Sequence, residues 1–234
     1  MNRKSLHRRI AILAVGVFVI AGGAAQRGFA MENAKFFTQL DTFLPGNATD
    51  GPDDFAQHSA DGLGAAGYTS SSFNTDANSG YGIRVGVMAP VRSIELGGSL
   101  GYVMAPKVTT HIDGNSTLLG NGSTDREKKG QYIRLLAEGR KKWAFNDAWS
   151  FNLGAGVGVA QGHTKDDVSN SGSITNGKGG SENKFGFTWE ISPSVSFKRY
   201  DLGIRYAGFP KINGSDNVAD FKWSTIGFFL GANF

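Results

Sequence analysis

Eight stretches of this 234-residue chain alternate apolar and small polar residues with a period of two, and nothing else in the sequence constrains the fold as tightly. Successive side chains of an extended strand point to opposite faces, so each such stretch carries one apolar and one polar face. In 33–44, Ala34, Phe36, Thr38, Leu40 and Thr42 oppose Lys35, Gln39 and Asp41. In 80–89, Tyr81, Ile83, Val85 and Val87 oppose Gly82, Arg84 and Gly86, and in 93–104, Ile94, Leu96, Leu100 and Tyr102 oppose Glu95, Gly97, Ser99 and Gly101. Segment 131–142 sets Ile133, Leu135 and Ala137 against Arg134, Glu138 and Arg140. Segment 149–162 sets Phe151, Leu153, Val157 and Val159 against Asn152, Gly154, Gly156 and Gly158. In 184–197, Phe185, Phe187, Trp189 and Ile191 oppose Gly186, Thr188 and Glu190, and in 201–209, Leu202, Ile204 and Tyr206 oppose Asp201, Gly203 and Arg205. The last segment aligns Ile226, Phe228, Leu230, Ala232 and Phe234 against Thr225, Gly227, Gly231 and Asn233, with Phe229 breaking the alternation.

The connections alternate in length. Residues 45–79, 105–130, 163–183 and 210–220 are rich in Gly, Ser, Asn, Asp and Thr and read as long loops, whereas the turns near Pro90–Arg92, Trp143–Ala148 and Lys198–Tyr200 are short. Many segments approach the ~9–11 residues that a tilted strand needs to cross hydrocarbon. Four long loops alternating with three short turns, on eight strands, predict an all-β, eight-stranded antiparallel up-and-down transmembrane β-barrel. Trp143, Phe145, Trp149, Tyr200 and Phe234 are placed for an aromatic girdle at the short-turn interface, and Tyr81, Tyr102 and Phe185 for one at the other. A soluble calyx also has eight alternating strands but turns its apolar face inward. A polar face dominated by Gly and Ser suits a narrow lumen better than a solvated coat.

Arg3, Lys4, Arg8 and Arg9 precede an apolar run from Ile10 to Gly22 that is short for a bilayer span, followed by small residues. This reads as a secretory signal covering 1–30, cleaved between about residues 25 and 30, rather than a retained helix; 31–234 is then the barrel domain. The signal holds five of the 24 Lys and Arg and none of the 20 acids. The remaining 19 against 20 remove the chain's apparent basicity and with it any argument for nucleic-acid binding. The absence of Cys excludes a disulfide scaffold.

The presumed inner face carries Lys35, Arg84, Arg134, Arg140 and Arg205 against Asp41, Glu95, Glu138 and Glu190. An eight-stranded barrel is only wide enough for side chains to fill, so near-balance predicts a paired, closed polar core, Glu190 with Arg205 among its pairs. The sharper alternative is a narrow gated channel lined by Arg84, Arg134 and Glu138. No catalytic set, cofactor or metal site is expected: His58, His111 and His163 fall in or beside loops, and Asp50, Asp53, Asp54 and Asp61 lack calcium-loop spacing.

The mature chain resembles the small OmpA/OmpX-type bacterial outer-membrane β-barrels without a soluble C-terminal domain. The resemblance is carried by the eight alternating segments, the inward Arg/Glu set and the terminal strand. It implies that Ile226, Phe228, Leu230 and Phe234 form the signal read by the barrel-assembly machinery, with periplasmic chaperones as earlier partners. It further implies an outer-membrane location with termini periplasmic and long loops extracellular, lipid and lipopolysaccharide as surroundings, and a monomeric state. Functions associated with such proteins are surface interaction and membrane integrity. A lipid A-modifying enzyme is the remaining alternative; the deacylase family has a His-x-Ser pair, whereas Thr164 and Lys165 follow His163 here. Phe55, Tyr68 and Phe73 make the first loop the leading recognition candidate.

Overall fold

In the computed structural model, residues 34–46, 48, 70–115, 120–172, 179–212 and 223–234 are described; 1–30 and the first-loop residues Phe55, His58 and Tyr68 lie outside them. Among the described residues ten strands follow one another: β1 Lys35–Phe43, β2 Ser70–Ala77, β3 Gly80–Val91, β4 Ile94–Met104, β5 Val108–Asn115, β6 Gly122–Ala144, β7 Trp149–Gly172, β8 Gly180–Phe197, β9 Tyr200–Gly208 and β10 Ser224–Asn233. Every pairing is antiparallel, and eight strands close into a ring in the order β6-β4-β3-β1-β10-β9-β8-β7, sealed by β7 against β6.

The ring is sheared. Followed through β3, β4 and β6, the register of Asp41 reaches β7 at Gly162; followed through β10, β9 and β8 it reaches Asn152, ten residues away. With a rise of ~3.3 Å per residue and strands ~4.7 Å apart, that stagger tilts eight strands by about 41° from the barrel axis.

The apolar face points outward. Phe36, Leu40, Ile83, Val85, Val157, Phe187, Ile191, Leu202, Ile204, Phe228 and Leu230 are all exposed on the wall, whereas their polar neighbours Gln39, Arg84, Asn152, Thr188, Asp201 and Arg205 are buried within. This inverts a soluble calyx and gives a wall whose only favourable surroundings are hydrocarbon. Trp143, Phe145, Trp149, Tyr200 and Phe234 ring the short-turn end, and Tyr81, Tyr102 and Phe185 stand near the opposite edge of the belt.

The long connections are not all loops. Residues 70–77, 108–115, 122–130, 163–172 and 180–183 are strand rather than irregular chain. β2 and β5 pair with each other, and β5 continues the β4 edge along β6: Met104 faces Gln131 and Val108 faces Lys128. Ala105, Pro106 and Lys107 interrupt that line without ending it, as expected where proline removes a ladder donor. β6 and β7 pair continuously from Ala144–Ser150 to Gly122–Gly172. A five-stranded sheet, β2-β5-β6-β7-β8, thus stands out beyond the barrel at the end away from the short turns. His111 and His163 sit on its strands, not in loops.

An arginine at Val157, on the outward face of β7, is harmless where that face meets water but costs about 2–4 kcal/mol where it meets hydrocarbon near the midplane. Urea titration of Val157→Arg folded into lipid vesicles should show that loss; an unchanged midpoint contradicts the membrane-facing wall.

Candidate functional site

The lumen is filled in three tiers. The first is an arginine–carboxylate cluster around Glu190, whose side chain projects inward from β8. Arg84 NH1 donates to Glu190 Oε1 at 2.5 Å and lies 3.1 Å from Glu138 Oε1. Arg134 NH2 is 3.0 Å from Glu190 Oε2, and Arg205 Nε is 3.3 Å from Glu190 Oε1. Arg205 NH1 also pairs with Asp41, and Gln39 Oε1 accepts from Arg84 Nε at 3.1 Å and Arg205 NH2 at 2.7 Å. Three guanidinium groups thus meet the carboxylates of Asp41, Glu138 and Glu190. Burying any one of these ions alone would cost several kcal/mol, and mutual pairing is what makes their burial tolerable. Arg84 and Glu190 lie on strands that are not neighbours, so this contact crosses the barrel.

Toward the short turns lies a second, looser set. Arg140 NH1 is 3.3 Å from Asp201 Oδ2 and 3.9 Å from Glu95 Oε2, while Asn233 Nδ2 donates to Asp201 at 2.9 Å. Asn152 Nδ2 donates to Ser196 Oγ at 2.6 Å. Lys35, expected in the interior network, is 57% exposed at the mouth and only 4.0 Å from Glu95. It belongs to the rim because its strand begins there.

The third tier is aromatic. Phe43, Tyr132, Phe209 and Trp223 cluster inside the wall toward the protruding sheet, with Phe209 stacked on Trp223 at 4.3 Å and Phe43 edge-on to Trp223 at 5.4 Å. The Arg134 guanidinium lies 4.8 Å from the Phe209 ring and joins this tier to the charges below, a cation–π contact. Sequence reading missed this tier, since Phe43 and Tyr132 take inward positions in segments whose inner face was otherwise polar.

Four of the inner rings share one steric device. Phe37 pairs with Gly86, Phe43 with Gly227, Tyr132 with Gly162 and Phe229 with Gly203 as direct cross-strand partners. A Cβ on any of these glycines would come within 2.6 Å of the facing ring. Each ring lies over a strand with no side chain beneath it, which explains much of the glycine on the polar face. Phe229, the break in the terminal alternation, is one of these rings, buried 4.7 Å from the Arg205 guanidinium. Ile226, Phe228, Leu230 and Phe234 are exposed on the outer surface.

Above the membrane belt, Arg126 forms a bidentate ion pair with Asp166 on the buried side of the protruding sheet, one arm at 2.8 Å. The sheet's other face is exposed and charged. Lys107 Nζ is 2.6 Å from Glu127 Oε2, which Lys129 also approaches, and Lys165 pairs with Asp167 at 2.6 Å. His111 joins two strands there: Nδ1 is 2.5 Å from Asp125 Oδ1 across the β5–β6 ladder, and Nε2 is 3.0 Å from Asp113 Oδ1. The hydrogen bond to Asp125, more than any other cause, holds its proton above the ordinary imidazole value of 6.5. His163 is half-buried, with Nδ1 3.0 Å from Asn183 Oδ1.

No protein-family model and no curated protein matches the chain. Solved structures do match. Neisserial surface protein A aligns over 85% of this chain and 97% of its own at 12% identity with a TM-score of 0.36. Ail of Yersinia pestis, solved with the heparin analogue sucrose octasulfate, aligns over 86% and 98% at 11% identity with a TM-score of 0.40. The N-terminal β-barrel domain of Pseudomonas aeruginosa OprF aligns over 86% and 98% at 11% identity with a TM-score of 0.36. The ring itself, eight antiparallel strands with the apolar side chains outward, has the architecture of a small OmpA/OmpX-type outer-membrane barrel.

Glu190→Gln keeps the shape of the side chain but removes the charge facing three guanidinium groups. The refolded barrel should lose about 3–5 kcal/mol in urea titration, the cost of breaking a buried pair; an unaltered midpoint removes Glu190 from the centre of the packing. At His111 the folded-state pKa lies above the unfolded one, so its contribution is complete below the ordinary value and lost as pH rises through the raised one. Amide exchange at Ile112 and Thr124, corrected for intrinsic rates, should be slower at about pH 5.5 than at about pH 8.5. His111→Gln should erase the difference.

Proposed function

We propose that the protein is a surface-presentation barrel of the outer membrane: a closed, internally bolted cylinder that holds a polar β-sheet outside the cell. The observation that carries this is the continuous β6–β7 ladder, which runs from the short-turn rim through the hydrocarbon belt to Gly122–Gly172. At ~3.4 Å per residue the 24 residues of β7 extend about 80 Å along the strand, well beyond the ~9–11 residues that cross a membrane. A ladder of this length transmits the rigidity of the barrel to the sheet, so the sheet is presented in a fixed orientation.

In this reading the short turns and both termini face the periplasm, and the sheet, with its exposed Asp125, Lys129 and Lys165 and half-buried His111, Asp113 and Glu127, meets lipopolysaccharide sugars or the surfaces of other cells. The Glu190 cluster and the aromatic tier keep the lumen shut. Rigid presentation lowers the ordering cost of binding relative to free loops. The recognition element is then the exposed sheet face rather than the first loop alone. Phe73, expected in that loop, lies in β2.

The test removes the protruding parts of β5, β6, β7 and β8, leaving β2 without its partner, and spares the barrel. The backbone already narrows at Ala105 N donating to Gly130 O at 2.9 Å and at the Thr164–Glu182 pair. Joining Ala105 to Gly130 and Thr164 to Glu182 by Asn-Gly turns should leave a folded, heat-modifiable barrel at the cell surface. Cells expressing the full chain should adhere to a cultured cell layer at least several-fold better than cells expressing the shortened chain. Equal adhesion by the two overturns presentation by the sheet.

A further inference from the structure

The short-turn mouth of the barrel carries more cations than the lumen network neutralises, Lys142 and Lys198 being outside that network. A cavity of about 40 Å3 opens there, lined among others by Lys35, Arg140, Lys142, Lys198 and Glu95. Arg140 is within ion-pair range of Glu95 and Asp201, and Lys35 reaches only Glu95. Four cations against these two carboxylates leave a surplus of two positive charges around one small space. Lys142 and Lys198 are exposed and have no acidic partner among the described residues.

The turns themselves point to the same end. Arg92 and Lys198 have φ of 57° and 52°, the only non-glycine residues with positive φ among those described. That backbone region disfavours any residue with a Cβ, and Gly or Asn is its ordinary occupant in a tight hairpin. Two separate turns at the same rim thus each hold a long cation at the position the hairpin bends, and Lys198 is the one that lines the cavity. Asn233, also in the cavity wall, has its amide donating to Asp201 at 2.9 Å and to Arg199 O at 3.3 Å, which fixes the floor below the lysines.

We infer that this mouth is a phosphate-binding site, taking a single dianionic phosphate group between Lys35, Arg140, Lys142 and Lys198. The volume is on the order of one or two water molecules, the scale of one tetrahedral oxyanion. A dianion balances the surplus of two charges, whereas a carboxylate leaves one unmatched. Arg140 supplies planar donors, and the lysines supply mobile point charges. Trp149, Phe197 and Tyr200 are exposed beside Lys198 and Arg199, which sets the mouth at the level of lipid headgroups. The phosphate therefore has two possible sources: free phosphate, or the headgroup of a lipid phosphomonoester.

The full chain, refolded in octyl glucoside micelles, is titrated with inorganic phosphate by calorimetry, with sodium chloride holding ionic strength constant. Saturable one-to-one binding is expected, at least tenfold weaker in K142Q/K198Q and unchanged in K184Q/K211Q, which removes two lysines at the opposite end. Binding should also weaken as pH falls and phosphate becomes a monoanion. Absence of saturable binding, or equal loss in the two double variants, overturns the site. Phosphatidic acid in the micelles, with phosphatidylcholine as control, distinguishes the sources. Competition with phosphate assigns the site to a lipid headgroup, and no competition assigns it to the soluble anion; each requires the site to exist.

Discussion

Hydrocarbon offers no hydrogen bonds, so every backbone amide and carbonyl of a membrane-crossing strand must find a partner within the protein, and a sheet can satisfy this only by closing on itself. The other features of this chain follow from that closure. The β6–β7 ladder seals the ring, and the ten-residue stagger that accompanies it tilts the strands. Tilt and stagger together determine which inward side chains meet. Arg84 on β3 reaches Glu190 on β8 because the ring is narrow enough for an arginine to cross.

A ring of eight strands leaves no space for solvent at its waist, so its interior must be solved as a packing problem and an electrostatic one at once. The packing solution is the glycine opposite Phe37, Phe43, Tyr132 and Phe229. The electrostatic solution is to bury charges only in mutually neutralising groups, with Glu190 shared by Arg84, Arg134 and Arg205. Cation–π contacts from Arg134 to Phe209 and from Arg205 to Phe229 link the two. The result is a filled cylinder, and the five-stranded sheet continues directly from its wall. At the other end the short turns leave cations unneutralised, so the two ends of the barrel present different chemistry.

The protruding sheet shows where sequence reasoning loses its signal. Inside the membrane belt a strand has one apolar and one small polar face, and the contrast is easy to read. Beyond the belt the contrast vanishes, since 122–130 reads Gly-Ser-Thr-Asp-Arg-Glu-Lys-Lys-Gly with both faces polar. Thr124, Arg126 and Lys128 are buried there and Asp125 and Lys129 are exposed, so alternation persists in burial without persisting in hydropathy. The same residues compose loops, and the segment is therefore read as one.

Local alternation by itself determined the strand faces, the outward aromatic and aliphatic wall, the placement of Arg84, Arg134, Glu138, Glu190 and Arg205 on a common inner side, and the contrast between long and short connections. These are properties of residues two apart, and they need no knowledge of the partner strand. Only the tertiary structure decided the shear, the meeting of Arg84 with Glu190, the reason Phe229 breaks its pattern and the continuation of β4 into β5 past Pro106. Each of these depends on which residue of one strand stands beside which residue of another. That register is a non-local quantity, settled by closure of the ring and by whether a ring and a glycine, or a guanidinium and a carboxylate, arrive at the same height.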